Sequence, residues 1–136
     1  LIEIYDKYKC SIVAIQDVPL SETKKYGIIS GELIDNSNDT FRVSSMVEKP
    51  SAKNTPSTMA IIGRYILTPD IFNILKTISP GDGGEIQITD ALCEQAKQGK
   101  VIAYKFTGNR FDCGSVEGFV DATNHFAKKL NITSTK

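Results

Sequence analysis

The spacing of apolar positions changes from segment to segment along the 136-residue chain, and each change predicts an element. Leu1, Ile4, Tyr5 and Tyr8 recur at helical intervals and predict the tail of a helix that starts upstream. Ser11 to Val18 opens on the unbroken run Ile12-Val13-Ala14-Ile15, the pattern of a strand covered on both faces. Pro19 to Lys25 is polar and turn-prone, with room for one helical turn. A second strand is predicted from Tyr26 towards Ile34, a turn over Asp35 to Asp39, and a return strand from Phe41 to Lys49, together an antiparallel hairpin.

Beyond the loop at Pro50 to Ser57, Thr58 to Leu67 reads as a strand with Gly63 in its middle, which predicts a bulge or a close backbone approach. Thr68-Pro69-Asp70 reads as a helix start, with Thr68 as cap, followed by the stripe Ile71, Phe72, Ile74, Leu75 and Ile78. Ser79 to Gly84 is a loop, and a helix is predicted from about Ile88 to Gln98, stopped by Gly99. Val101 to Phe106 is the next strand, Arg110 to Cys113 a short one. Ser115 caps a last helix whose inner face would be Val116, Phe119, Val120, Thr123, Phe126, Ala127 and Leu130. The last six residues are expected to fray. No repeat, low-complexity tract or linker interrupts the pattern, so the prediction is a single α/β unit with a mixed sheet, a hairpin and flanking helices. A doubly covered strand needs neighbours on both sides, and a parallel neighbour needs a crossover. The helix entering at Leu1 implies a preceding strand outside these residues, and the Leu1 start, in place of Met, points the same way.

Charge and composition narrow the classes. Sixteen basic and sixteen acidic side chains balance to zero, which argues against a nucleic-acid binder or a polybasic membrane-surface protein. The longest apolar runs are too short to cross a bilayer. Cys10, Cys93 and Cys113 are odd in number and widely spaced, and the single His125 cannot complete a zinc site with them. They read as reduced thiols in a cytoplasmic protein.

Four places carry candidate chemistry. Gly81, Gly83 and Gly84 precede a helix, where a phosphate can dock, but the Lys-Ser/Thr ending of a phosphate-binding loop is absent and a plain loop explains them better. Val47-Glu48-Lys49-Pro50 ends a strand at a turn. A carboxylate there can accept sugar hydroxyls and an ammonium can sit on a phosphate, while an exposed edge pair is the alternative. Phe111-Asp112-Cys113-Gly114-Ser115 places an acid directly before a helix, suited either to a Mg²⁺ ion or to the amides of that helix. Tyr26-Gly27 offers a glycine backbone against which a flat ligand can lie, and of Arg64 and Tyr65 one must face the side of Glu48. His125 reads as structural, so no Ser-His-Asp constellation can be assembled.

Taken in order, Tyr26-Gly27, Val47-Glu48-Lys49-Pro50, Ile62-Gly63-Arg64-Tyr65-Ile66-Leu67-Thr68-Pro69-Asp70, Gly84-Glu85-Ile86-Gln87-Ile88-Thr89-Asp90-Ala91 and Phe111-Asp112-Cys113-Gly114-Ser115 resemble the C-terminal portion of the bacterial UTP–glucose-1-phosphate uridylyltransferases, or UDP-glucose pyrophosphorylases, among the sugar nucleotidyltransferases. The Glu-Lys-Pro string is shared by sugar nucleotidyltransferases generally. The thymidylyl relatives would carry a tryptophan-containing string where Phe111-Asp112-Cys113-Gly114 stands, and this chain has no Trp. The resemblance covers nearly the whole chain. It implies a Rossmann-like nucleotidyltransferase fold and a Mg²⁺-dependent reaction in which UTP and glucose 1-phosphate give UDP-glucose and pyrophosphate.

By the same resemblance, Glu48 holds glucose hydroxyls, Tyr26 and the Gly27 backbone line the sugar pocket, and Tyr65 walls it. Lys49 neutralises the sugar phosphate and acts with Asp112 in catalysis, Asp112 being one of two metal-binding aspartates. The intact enzyme would be a homo-oligomer with no nucleic-acid or membrane partner. The family's glycine-rich nucleotide loop and its first metal-binding aspartate have no counterpart here. Residues 1–136 are therefore expected to be a sugar-binding part, inactive alone. A non-catalytic sugar-phosphate binding or assembly module, and a transferase for another sugar or base, are the alternatives.

Overall fold

The computed structural model describes residues 1–81 and 84–132. Asp82 and Gly83 of the predicted glycine loop, and part of the tail expected to fray, fall outside that range. The elements follow the sequence pattern closely: helix α1 (Ile2–Tyr8), strand β1 (Ser11–Asp17), a 3₁₀ turn (Leu20–Lys25), β2 (Gly27–Leu33), β3 (Thr40–Glu48), β4 (Met59–Ile66), helices α2 (Ile71–Leu75) and α3 (Ile88–Lys97), β5 (Val101–Lys105) and helix α4 (Val116–Lys129). Although no linker is visible in the sequence, the backbone divides into two compact units, Leu1–Phe106 and a second beginning at Thr107.

In the first unit the sheet closes on itself as a barrel in the order β1-β4-β2-β3-β5. All pairings are antiparallel except β1 with β5, where Ser11 to Ile15 run beside Val101 to Lys105. The neighbours that a doubly covered strand needs are β4 on one side of β1 and β5 on the other. The α2–α3 segment supplies the crossover that its parallel neighbour requires. Ser11 to Ile15 are buried at every position, as the unbroken apolar run predicts.

The core joins Val13, Ile15, Ile29, Val43, Met46 and Ile61 of the strands to Ile71, Ala91, Leu92 and Ala96 of the helices. Helix α3 packs on β3 and α2. The bulge foreseen at Gly63 is present. Between the pairs Val13–Tyr65 and Ile15–Ile61 the β4 side spans two more residues than the β1 side, and Gly63 has φ of 73°. The hairpin turn is made by Asp35 and Asn36 with φ of 55° and 54°. These are residue types that enter the left-handed region most readily.

Four expectations fail. Thr68 does not cap α2 through its side chain, because its hydroxyl is taken by Ser11 and Gln95 instead. Phe72, counted in the buried stripe, is 65% exposed because α2 is too short for the stripe to wrap a full face. Arg110 to Cys113 form no strand. The apolar face of α4 is not covered: Val116, Phe119, Val120, Phe126 and Leu130 are all exposed, and α4 buries no residue. The predicted Ser115 cap is correct, its Oγ accepting from the Gly118 amide at 3.1 Å. All three cysteines are free thiols, and no helix among the described residues is long and apolar enough to cross a membrane.

Candidate functional site

Strand β3 ends at Glu48, and the register Gly27–Glu48 closes its ladder with β2. Lys49 then leaves the strand with φ of 46°, a left-handed conformation costly for a residue with a Cβ. Its amide nevertheless donates to the Tyr26 carbonyl at 2.9 Å, which ties the turn to the start of β2. Tyr26, Gly27, Glu48 and Lys49, four of the residues proposed from sequence, thus meet at one end of the β2–β3 ladder. Across from Glu48, Thr89 in the first turn of α3 donates its hydroxyl to Oε2 at 2.5 Å, and Lys49 Nζ lies 3.7 Å from Oε1.

Gly27 is a glycine for a reason of space. A Cβ built on it would stand 2.9 Å from Thr89 Oγ1 and 3.1 Å from Glu48 Oε2. Tyr65 lies on β4, packed against the core. Burial raises its phenol pKa above the ordinary value, and the negative charge of Glu48 raises it further. Tyr65 thus lies close enough to Glu48 for the carboxylate charge to act on its phenol. Beside Glu48 and Lys49 opens a cavity of about 600 Å³ lined also by Met46, Val47, Gly81, Gln87 and Asp90. That volume suits a sugar phosphate. Gln87, Thr89 and Asp90 were not picked out as site residues. They lie in the Gly84–Ala91 string, and a polar residue at a helix start reads from sequence as a cap.

Asp112 belongs to the second unit. Its Oδ1 accepts from the Gly114 amide at 3.1 Å, and Arg110 Nη2 lies 3.7 Å from Oδ2. The Asp112 carbonyl presses on α4 so closely that a Cβ on Gly118 would lie 1.9 Å from it. The side chain is 66% exposed. Each oxygen has a lone pair to spare, so the carboxylate fits as one ligand of a Mg²⁺ ion that takes its other ligands from water and phosphate. Among the described residues no three His, Cys, Asp or Glu side chains group as a metal site. His125, in the same unit, stacks on Phe111 at 5.1 Å between ring centroids, which agrees with a structural role.

The fold of this chain is one that known proteins share. The nucleotidyl transferase family model matches residues 3–129, and the chain belongs to that family. Within it, the chain is 60% identical over 133 residues to a UTP–glucose-1-phosphate uridylyltransferase of Pseudomonas aeruginosa, covering 98% of this chain and 47% of the relative. A protein of the same name from Staphylococcus epidermidis is 42% identical, with 95% and 44% covered. Among solved structures, a UDP-glucose pyrophosphorylase complexed with UDP-glucose superposes with a TM-score of 0.87 at 54% identity, over 93% of this chain and 48% of that one. A UTP-bound enzyme from Acinetobacter baumannii gives 0.77 at 30% identity, over 94% and 43%. The α/β nucleotidyltransferase fold expected from the motifs is therefore the fold of this chain. The chain spans about half the length of the curated relatives it matches.

Proposed function

We propose that residues 1–136 form the sugar-binding part of a UTP–glucose-1-phosphate uridylyltransferase, with the UTP-binding part supplied by sequence other than these residues. The observation that carries the reading is the convergence of Glu48, Lys49 and the Gly27 backbone at one end of β2–β3 beside a cavity of about 600 Å³. The relatives' names and the UDP-glucose-bound structural neighbour support the choice of nucleotide and sugar.

In this reading Glu48 accepts hydrogen bonds from glucose hydroxyls, Tyr65 walls the sugar, and Lys49 offsets the charge of its 1-phosphate. An oxygen of that phosphate attacks the α-phosphorus of UTP, the bond to the β-phosphate breaks, and pyrophosphate leaves. Bringing two polyanions together is the main obstacle, so positioning and charge neutralisation supply most of the catalysis. Asp112 would hold Mg²⁺, whose charge would neutralise the reacting phosphates. The remaining partners, a homo-oligomeric assembly and a cytoplasmic setting, belong to the same proposal.

The test is pyrophosphate release from UTP, glucose 1-phosphate and Mg²⁺ by a full-length protein containing this chain. Asp112→Asn should lower kcat by about a hundredfold, the cost of removing a group aimed at transition-state charge. Undiminished turnover would overturn the metal assignment. Activity with thymidine or guanosine triphosphate in place of UTP would overturn the choice of base.

A further inference from the structure

The two carboxylate oxygens of Glu48 are not equivalent. Oε2 is occupied by Thr89 Oγ1 at 2.5 Å, whereas the Lys49 ammonium lies 3.7 Å from Oε1. An ionised carboxylate only accepts, so the threonine supplies the proton, and the separation is that of a short charge-assisted O–H···O⁻ bond. Thr89 is 5% exposed and stands in the first turn of α3, where Asp90 and Gln87 on either side line the cavity. Its contact with Glu48 joins positions 41 residues apart. The absent side chain of Gly27 makes room for it, since any Cβ there would press on both Thr89 and Glu48.

We propose that Thr89 is the positioning residue of the sugar site: its hydroxyl fixes the Glu48 carboxylate so that Oε1 faces an incoming sugar hydroxyl. The inference rests on the sugar-binding role of Glu48 proposed above and adds to it the group that sets its orientation. A threonine serving only to pack or start α3 would not need to be coupled to Glu48 at all. Coupling is therefore what separates the two roles.

The experiment is a double-mutant cycle on steady-state kinetics in a full-length uridylyltransferase containing this chain. Thr89→Val removes the hydroxyl at nearly constant volume and should raise the KM for glucose 1-phosphate about tenfold, as expected for losing a hydrogen bond to a charged group. The KM for UTP should stay fixed, and Thr89→Ser should recover most of the loss. In a Glu48→Ala background, where no acceptor is left for the threonine, Thr89→Val should add less than about a twofold change. Partial unfolding lowers the active fraction, and hence kcat, but leaves KM in place. If Thr89→Val does not accumulate as folded protein, Thr89→Ala carries the same cycle. Equal effects of the Thr89 substitution in both backgrounds would overturn the positioning role while leaving the sugar site intact. A Glu48→Ala variant with unchanged KM for glucose 1-phosphate would overturn the sugar-site reading and this inference together.

Discussion

Ser11, the first residue of β1, donates its hydroxyl to Oε1 of Gln95 in α3 at 2.8 Å, across 84 positions of sequence, and both side chains are wholly buried. Gln95 Nε2 in turn donates to Thr68 Oγ1 at 3.0 Å, and the Thr68 amide donates to Ser11 Oγ at 3.0 Å. Each polar group in this knot has a partner, and the knot fixes the C-terminal half of α3 to β1 and to the end of β4. The same helix carries Thr89 to Glu48 at its other end.

Replacing Gln95 by Leu keeps the bulk and strands the Ser11 and Thr68 hydroxyls without their amide partner. A stability loss of about 1–3 kcal/mol is expected from such orphaned groups, read as a lower urea midpoint with an unchanged slope. A Ser11→Ala, Gln95→Leu pair should lose less than the sum of the two single changes, because they remove members of one network.

Gly27→Ala places a methyl group 2.9 Å from Thr89 Oγ1. The clash should cost about 1–3 kcal/mol of stability, as overpacking does, and should raise the KM for glucose 1-phosphate by parting Thr89 from Glu48. Thermal unfolding and kinetics on the same preparation check the two effects. Unchanged values in both would mean that the β2 end yields freely.

Lys49 combines an ammonium with a strained backbone. Lys49→Gly should relieve about 1 kcal/mol or more of left-handed strain while removing the cation from the cavity. The variant should therefore be no less stable in urea yet markedly slower in pyrophosphate release.

Asp17 forms an ion pair with Lys105 across the β1–β5 junction. The hydrogen bond from Lys105 holds the Asp17 carboxyl below its usual pKa of 3.8, with a lesser contribution from Thr58. A depressed carboxyl pKa adds stability that is present above its unfolded value and lost as the pH falls through the folded one. Unfolding midpoints should accordingly drop below about pH 4, and Asp17→Asn should flatten that part of the profile.

Gly118→Ala would set a methyl group 1.9 Å from the Asp112 carbonyl and push the loop off the start of α4. On the Mg²⁺ role proposed for Asp112, this should weaken the dependence of turnover on Mg²⁺ in a full-length enzyme, as Asp112→Asn should, through a residue that offers the ion no ligand. A Mg²⁺ titration of initial rates measures it.

The strands were legible because their signals are local. Ile12 to Ile15 announce double burial, Gly63 announces a bulge, and Asp35-Asn36 a tight turn, each within a few residues. The failures share a different cause. The stripe from Val116 to Leu130 identifies which face of α4 is apolar, but periodicity carries no information about what covers that face. Thr89 escaped for a related reason. Its meaning lies in Glu48, 41 positions earlier, and nothing in Ile88-Thr89-Asp90 alone distinguishes a threonine that holds a carboxylate from one that starts a helix. Glu48 and Lys49 were visible because a charged pair at a strand end needs an explanation, whereas a threonine there does not.

Closure of the barrel by β5 bears on the order in which the unit can form. Until Val101–Lys105 take their place, β1 and β3 both present an unpaired edge, and such edges recruit other chains. Those pairings join residues about ninety and sixty positions apart, the kind of long-range contact that slows folding. Before β5 is in place, residues 1–100 form an open sheet, and the apolar run of β1 is left with an unpaired edge.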